Sequence, residues 1–152
     1  MQTIFTLRKV GLSTLTLIMV LSAVSIFAQK SSGSLYQRLG GYDALAAVTD
    51  DFIGRLAADK DLARFFTGAS DDSKKRIRQL VLDQLCQATG GPCLYIGRDM
   101  KTSHKGLGIT EKDWDTSAKH LAATLDKFSV PKKEHDEVIA AVSKLKKDIV
   151  EK

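Results

Sequence analysis

Cysteine and histidine are scarce in this chain of 152 residues, with two of the first, Cys86 and Cys93, and three of the second, His104, His120 and His135. That count excludes a small scaffold stapled by several disulfides, and it leaves no second Cys pair or His cluster for a zinc site. Proline occurs twice, at Pro92 and Pro131, and each falls between helical patterns. No segment alternates apolar and polar residues with period two, so no sheet is expected. There is no internal repeat and no low-complexity tract. Basic residues outnumber acidic ones, 23 to 18. They are spread over several helices, which reads as a solvated surface and not as a nucleic-acid-binding stripe.

The amino terminus stands apart. Arg8 and Lys9 precede an uncharged, largely apolar run from Leu12 to Ala28, and Gln29-Lys30-Ser31-Ser32-Gly33 then turns polar. This is the shape of a secretory signal over residues 1–28, cleaved after Ala28, with 29–33 as a linker. An uncleaved membrane anchor over residues 12–28 is the alternative, because about 20 apolar residues span a bilayer. No Cys follows the run closely, so a lipoprotein is not indicated. Loss of Arg8 and Lys9 lowers the formal charge from +5 to about +3. Residues 34–152 then form one domain, long enough to bury a core unaided. In an exported, oxidising setting Cys86 and Cys93 are free to pair across the turn between them, or to remain two small core residues.

The remaining chain reads as helices. Ser34-Leu35-Tyr36-Gln37 is a capping box on a short helix that Gly40-Gly41 stops. From Tyr42 to Ala58, Leu45, Val48, Phe52 and Leu56 form one apolar stripe. Leu62 to Phe66 is a short aromatic turn. Ser70-Asp71-Asp72-Ser73 starts a helix reaching Thr89, with Ile77, Leu80, Val81 and Leu85 on one side. Thr110 to Asp113 caps another, along which Trp114, Ala118, Leu121, Leu125 and Phe128 recur. Beyond Pro131, the spacing of Val138, Val142, Leu145 and Ile149 predicts one helix continuing to the end. The last two helices should pack antiparallel, and so should the Tyr42–Ala58 and Asp71–Thr89 pair.

The most informative stretch is Gly90 to Ile109. Gly90 or Gly91 takes the left-handed conformation that closes the preceding helix, and Pro92 cannot continue it. Gly106 and Gly108 end the next piece, which holds a turn or two of helix. Met100 and His104 share one face of it. A neutral His104 has one nitrogen to offer a metal, and its other ring N–H then needs an oriented partner.

The sequence Gly90-Gly91-Pro92, Tyr95-Ile96-Gly97, Arg98, Met100, His104, Gly106-Leu107-Gly108-Ile109 resembles the group I truncated haemoglobins, or 2-over-2 globins. The opening Leu35-Tyr36, Arg38-Leu39-Gly40-Gly41 resembles theirs too, and the likeness covers residues 34–150. It implies an all-α fold, a two-over-two helical sandwich around a haem b, with His104 as the proximal iron ligand. It also implies that Phe66 lies on the haem. Further candidates for the haem walls are Leu80, Val81, Leu85, Leu94, Tyr95, Met100, Ile109 and Trp114, with Arg98 and Lys101 near the propionates. On the distal side Ile53 stands where many members carry Tyr, and the usual Gln falls near Val81. Ile77, Gln79 and Gln84 lie close by, and Gln79 or Gln84 is a possible inward-turning donor. His120 is expected to be a structural polar residue, and His135 to be solvated.

The resemblance implies reversible binding of oxygen, nitric oxide or carbon monoxide, the chemistry of an oxygen-binding or oxygen-transport protein more than of a dedicated enzyme. Nitric oxide dioxygenation, which requires a reductase, or weak peroxidase activity is the enzymatic alternative. A helical interaction module without haem is the third reading. Nucleic acid is not an expected partner, and a membrane is one only if residues 12–28 remain attached.

Overall fold

The computed structural model describes residues 33–152. The segment read as a signal or anchor, residues 1–28, lies outside them. Among the described residues there are helices and turns and no strand. The helices are α1 (Leu35–Arg38), α2 (Gly41–Ala58), α3 (Asp71–Ala88), α4 (Met100–His104), α5 (Glu111–Lys127), α6 (Lys132–Ser143) and α7 (Lys146–Ile149), with a 3-10 turn at Ala63–Phe65.

Capping chemistry sets the starts. Ser34 and Gln37 satisfy each other's amides in the expected capping box, and Thr110 and Asp113 do the same for α5. Ser70 accepts the Ser73 amide at the head of α3. At its other end α3 closes with paired bonds from Gly90 N–H to Gln87 O, 3.1 Å, and from Gly91 N–H to Cys86 O, 2.8 Å. Of the two glycines it is Gly90 that is left-handed, with φ 79°. Gly91 has a different reason to be glycine. A Cβ there would lie 2.6 Å from Cys86 Sγ and 2.6 Å from Tyr36 Cδ2. That close approach lets Cys86 bond Cys93 across the turn, with Cα atoms 5.7 Å apart. The question the sequence left open is thereby settled in favour of a disulfide.

The apolar stripes converge as their spacing requires. Helix α2 packs on α3 and α5, and α5 packs on α6. One cluster joins Val48, Leu121, Leu125 and Val138, and a second joins Leu45, Leu82 and Cys86. Burying each such side chain stabilises the fold by roughly 1.5–3 kcal/mol before entropy is counted.

The expected continuous last helix is corrected. It breaks into α6 and α7 around Lys144 and Leu145. The Ser143 hydroxyl donates to Ile139 O at 2.7 Å, and the Leu145 amide tightens to Val142 O at 2.9 Å. Such back-bonding bends helices, and here the bend leads α7 onto α4. His135 is a second correction. Its side chain is one-fifth exposed and lies between Asp126, 3.8 Å away, and Asp136, 3.4 Å away. The α5–α6 turn brings Asp126 to it, which local composition did not reveal.

A buried carboxylate ties the aromatic turn to α5. Asp113 is 6 % exposed and accepts from Arg64, 2.7 Å, from the Thr110 amide, 2.9 Å, and from the Thr110 hydroxyl, 2.7 Å. Burial pushes the Asp113 carboxyl up, but the hydrogen bonds from Thr110 and Arg64 outweigh it and hold it at about 2. A carboxyl depressed below its unfolded 3.8 adds stability above that pH and loses it as pH falls toward the folded value. Between pH 5 and pH 3 the wild type should therefore lose about 1 kcal/mol more stability than Asp113→Asn. Urea unfolding at the two pH values measures the difference, and equal losses would show that the cluster does not titrate as described.

Candidate functional site

Helix α4 carries His104 and is short, so its ends need external support. Asp99 caps it, one carboxylate oxygen accepting the Thr102 amide and the other the Thr102 hydroxyl, both at 2.8 Å. One turn on, His104 Nδ1 lies 2.8 Å from Met100 O. A carbonyl only accepts, so Nδ1 is the donor, and in the neutral tautomer that leaves the lone pair on Nε2. Met100, expected as a wall residue, thus also supplies through its backbone the oriented partner that a ligating imidazole needs. His104 is half-buried.

The loop before α4 is held by Tyr95. Its amide donates to Gln87 Oε1 at 2.8 Å and its hydroxyl to Arg98 O at 2.6 Å. The ring folds back over Gly97, where a Cβ would collide with the Tyr95 hydroxyl oxygen. That contact explains the Tyr-x-Gly spacing. Leu94 and Ile96 alternate with Tyr95 and are 74 % and 80 % exposed. Two large apolar side chains so exposed, separated by one residue, are unusual for a surface that stays in water.

Helix α3 is two-faced. Ile77, Leu80, Val81 and Gln84 share one face by helical spacing and are half-buried, whereas Leu82, Cys86 and Thr89 on the other are buried. Leu85, at the boundary, is placed in the core. With Leu45, Val48, Leu121 and Leu125 it lines an apolar cavity of about 130 Å³. Phe66 closes the 3-10 turn and is half-buried, as are Ile53 and Trp114, while Ile109 is buried. Gln79 is exposed and donates to Tyr42, 3.1 Å, and Asp83, 2.9 Å. It is therefore engaged away from the apolar face, and of the two glutamines only Gln84 lies on that face.

Arg98 and Lys101 are exposed and have no carboxylate partner among the described residues. Lys74 and Lys75, by contrast, pair with Asp71 and Asp72 on their own helix. His120 Nε2 lies 2.9 Å from Asp59, which also accepts the Asp61 and Leu62 amides. His120 first, and then the Asp61 amide, hold the Asp59 carboxyl below its ordinary value.

Sequence reasoning missed the support behind α4. Glu151 accepts the Gly106 amide at 2.5 Å and the Gly108 amide at 2.6 Å. The only local signal was an acid near the end of a Lys-rich helix, which is ordinary.

An imidazole oriented through Nδ1, a half-buried apolar helix face and exposed cations without a carboxylate partner among the described residues are the kinds of group that a haem requires. The comparisons agree. The bacterial-like globin family model matches residues 34–151. A group 1 truncated hemoglobin of Mycolicibacterium paratuberculosis is 35% identical over 123 residues, 81% of this chain and 88% of that protein. The chain belongs to the group 1 truncated globins. A relative from Nostoc is 32% identical over 78% of this chain and 98% of its own. Among solved structures, the Fe(III) truncated hemoglobin of Tetrahymena pyriformis superposes with a TM-score of 0.72 at 28% identity, covering 79% of this chain and 100% of that one. The 2/2 hemoglobin from Synechococcus, solved in the cyanomet state with covalently attached heme, gives 0.71 at 29% identity over 78% and 98%. The truncated-globin family and the all-α two-over-two fold are thus as the motifs implied, and membership implies a haem cofactor.

Proposed function

We propose that this domain holds haem b through His104 Nε2 and reversibly binds oxygen or another diatomic gas there. The observation that carries the reading is the Nδ1 hydrogen bond to Met100 O, 2.8 Å, which in the neutral tautomer leaves the outer nitrogen's lone pair for a metal. Haem supplies the iron that binds the gas. The chain's own residues bind and orient it: Phe66, Val81, Tyr95, Ile109 and Trp114 as apolar walls, with Arg98 and Lys101 toward the carboxylates. Replacing His104 by Gly should reduce haem content sharply, and added imidazole should partly restore the ferrous spectrum. Unchanged spectra in His104→Gly without imidazole would remove His104 as the ligand.

The distal side favours loose retention of oxygen. Ile53, Ile77 and Val81 carry no donor, and Gln79 is held outside by Tyr42 and Asp83. A hydrogen bond to the polar bound gas contributes about 1.5 kcal/mol, so its absence accelerates release roughly tenfold. Oxygen release should be fast and the preference for carbon monoxide high. Ile53→Tyr should slow release roughly tenfold. Stopped-flow measurements on wild type, Ile53→Tyr and Gln84→Ala check this, and slow wild-type release made fast by Gln84→Ala would identify Gln84 as a donor instead. Nitric oxide dioxygenation is the alternative activity. It needs firmly held oxygen and a reductase, and single-turnover nitric oxide consumption separates it from reversible binding.

The same proposal includes export. Residues 1–28 have the composition of a signal, and the Cys86–Cys93 disulfide suits an oxidising compartment. Protein from the native host should begin near Gln29 by mass spectrometry. An intact Met1 in the membrane fraction would favour the anchor, and in the cytosol it would refute export.

A further inference from the structure

The segment after His104 is built almost wholly from hydrogen bonds to the last residues of the chain. Gly106 and Gly108 have φ of 85° and 65°, which turns both amides toward Glu151. Its two carboxylate oxygens each take one, at 2.5 and 2.6 Å. The backbone continues the clamp: the Glu151 amide donates to Ile109 O at 2.8 Å, and the Glu111 amide to Lys152 O at 3.2 Å. Helix α7, which delivers Glu151, packs against α4.

We infer that Glu151 is a positioning residue for His104, a strap that fixes the C-terminal end of α4 and so the direction of the imidazole. The inference rests on the reading of His104 as the haem ligand. Helix α4 has five residues, Met100–His104, and a helix so short has too few internal bonds to hold its own axis. Its first turn is fixed by Asp99. On its far side the Leu107 amide returns to His104 O at 3.1 Å, and Leu107 itself is 45 % exposed, so the Leu107 side chain does not anchor the turn. The charge-assisted bonds to Glu151 do. A tilt of the α4 backbone that swings His104 would carry the Gly106–Gly108 loop with it and break them.

The test uses the haem-loaded protein. Haem loss to excess apomyoglobin and the ferrous iron–imidazole Raman band are measured for wild type, Glu151→Gln and Glu151→Ala. Each is then repeated in a His104→Gly background with added imidazole. Removing two charge-assisted acceptors should speed haem loss about tenfold in Glu151→Ala. Glu151→Gln, which keeps one acceptor oxygen, should fall between, and the Raman band should shift or broaden in the same order. With free imidazole as ligand the Glu151 effect should vanish, because the ligand is no longer tethered to the loop. Wild-type rates and an unchanged band in both Glu151 variants would overturn the inference while leaving the haem reading intact. An acceleration that persists in His104→Gly with imidazole would also overturn it, since Glu151 would then support the fold in general. Absence of the iron–imidazole band from the wild type would overturn the haem reading and the inference together.

Discussion

A single hydrogen bond decides what His104 offers. An imidazole whose Nδ1 proton is committed to Met100 O presents a lone pair at Nε2, and it presents it in one direction. Everything near α4 serves to keep that bond made. Asp99 fixes the residue that begins the helix, Tyr95 fixes the loop ahead of it, and Glu151 holds the loop behind it. The apolar residues nearby are comparatively free, for Leu94 and Ile96 are exposed and the α3 face is only half-buried. Polar contacts thus set the orientation, and apolar surface is left for the cofactor to cover.

The buried core is built from other residues than those around His104. Val48, Leu121, Leu125 and Val138, joined by Leu45 and Leu82, are each within a few per cent of full burial. The Cys86–Cys93 bond couples the two regions, since it fastens the buried end of α3 to the loop carrying Leu94 and Tyr95. A closed loop of this length narrows the unfolded ensemble by about 2–3 kcal/mol in the chain-entropy picture. Its more specific effect is local. The chain leaves the core at a fixed point and direction, and the Tyr95 amide reaches Gln87, the residue after Cys86 at the end of α3.

Legibility in the sequence followed the range of the interactions. Caps at Ser34, Ser70 and Thr110, the glycine stop at Gly90 and the short α4 were readable, because each depends on residues a few positions apart. Apolar stripes were readable for the same reason. What was not readable came from residues far apart in the chain. His135 looked solvated until the α5–α6 turn placed Asp126 beside it, and Glu151 sits 45 residues from the amide it holds. The break between α6 and α7 is intermediate. Ser143 was visible, but the same Val138, Val142, Leu145 and Ile149 spacing fits one straight helix and two short ones equally well. Only the destination of α7, against α4, requires the bend.

This division between local and distant contacts bears on how the proposed function could be tuned. Distal residues such as Ile53, Ile77 and Val81 lie on long helices whose positions the core dictates. Substituting one changes the chemistry facing the gas without moving the backbone. On the proximal side the opposite holds. There α4 owes its place to a few charged and backbone hydrogen bonds exposed to water, each worth on the order of 1 kcal/mol net. On the proposed reading, gas discrimination would be set by side-chain identity on α2 and α3, and cofactor retention by loop geometry around His104. The two properties would then vary separately, because on that reading they are carried by different kinds of interaction.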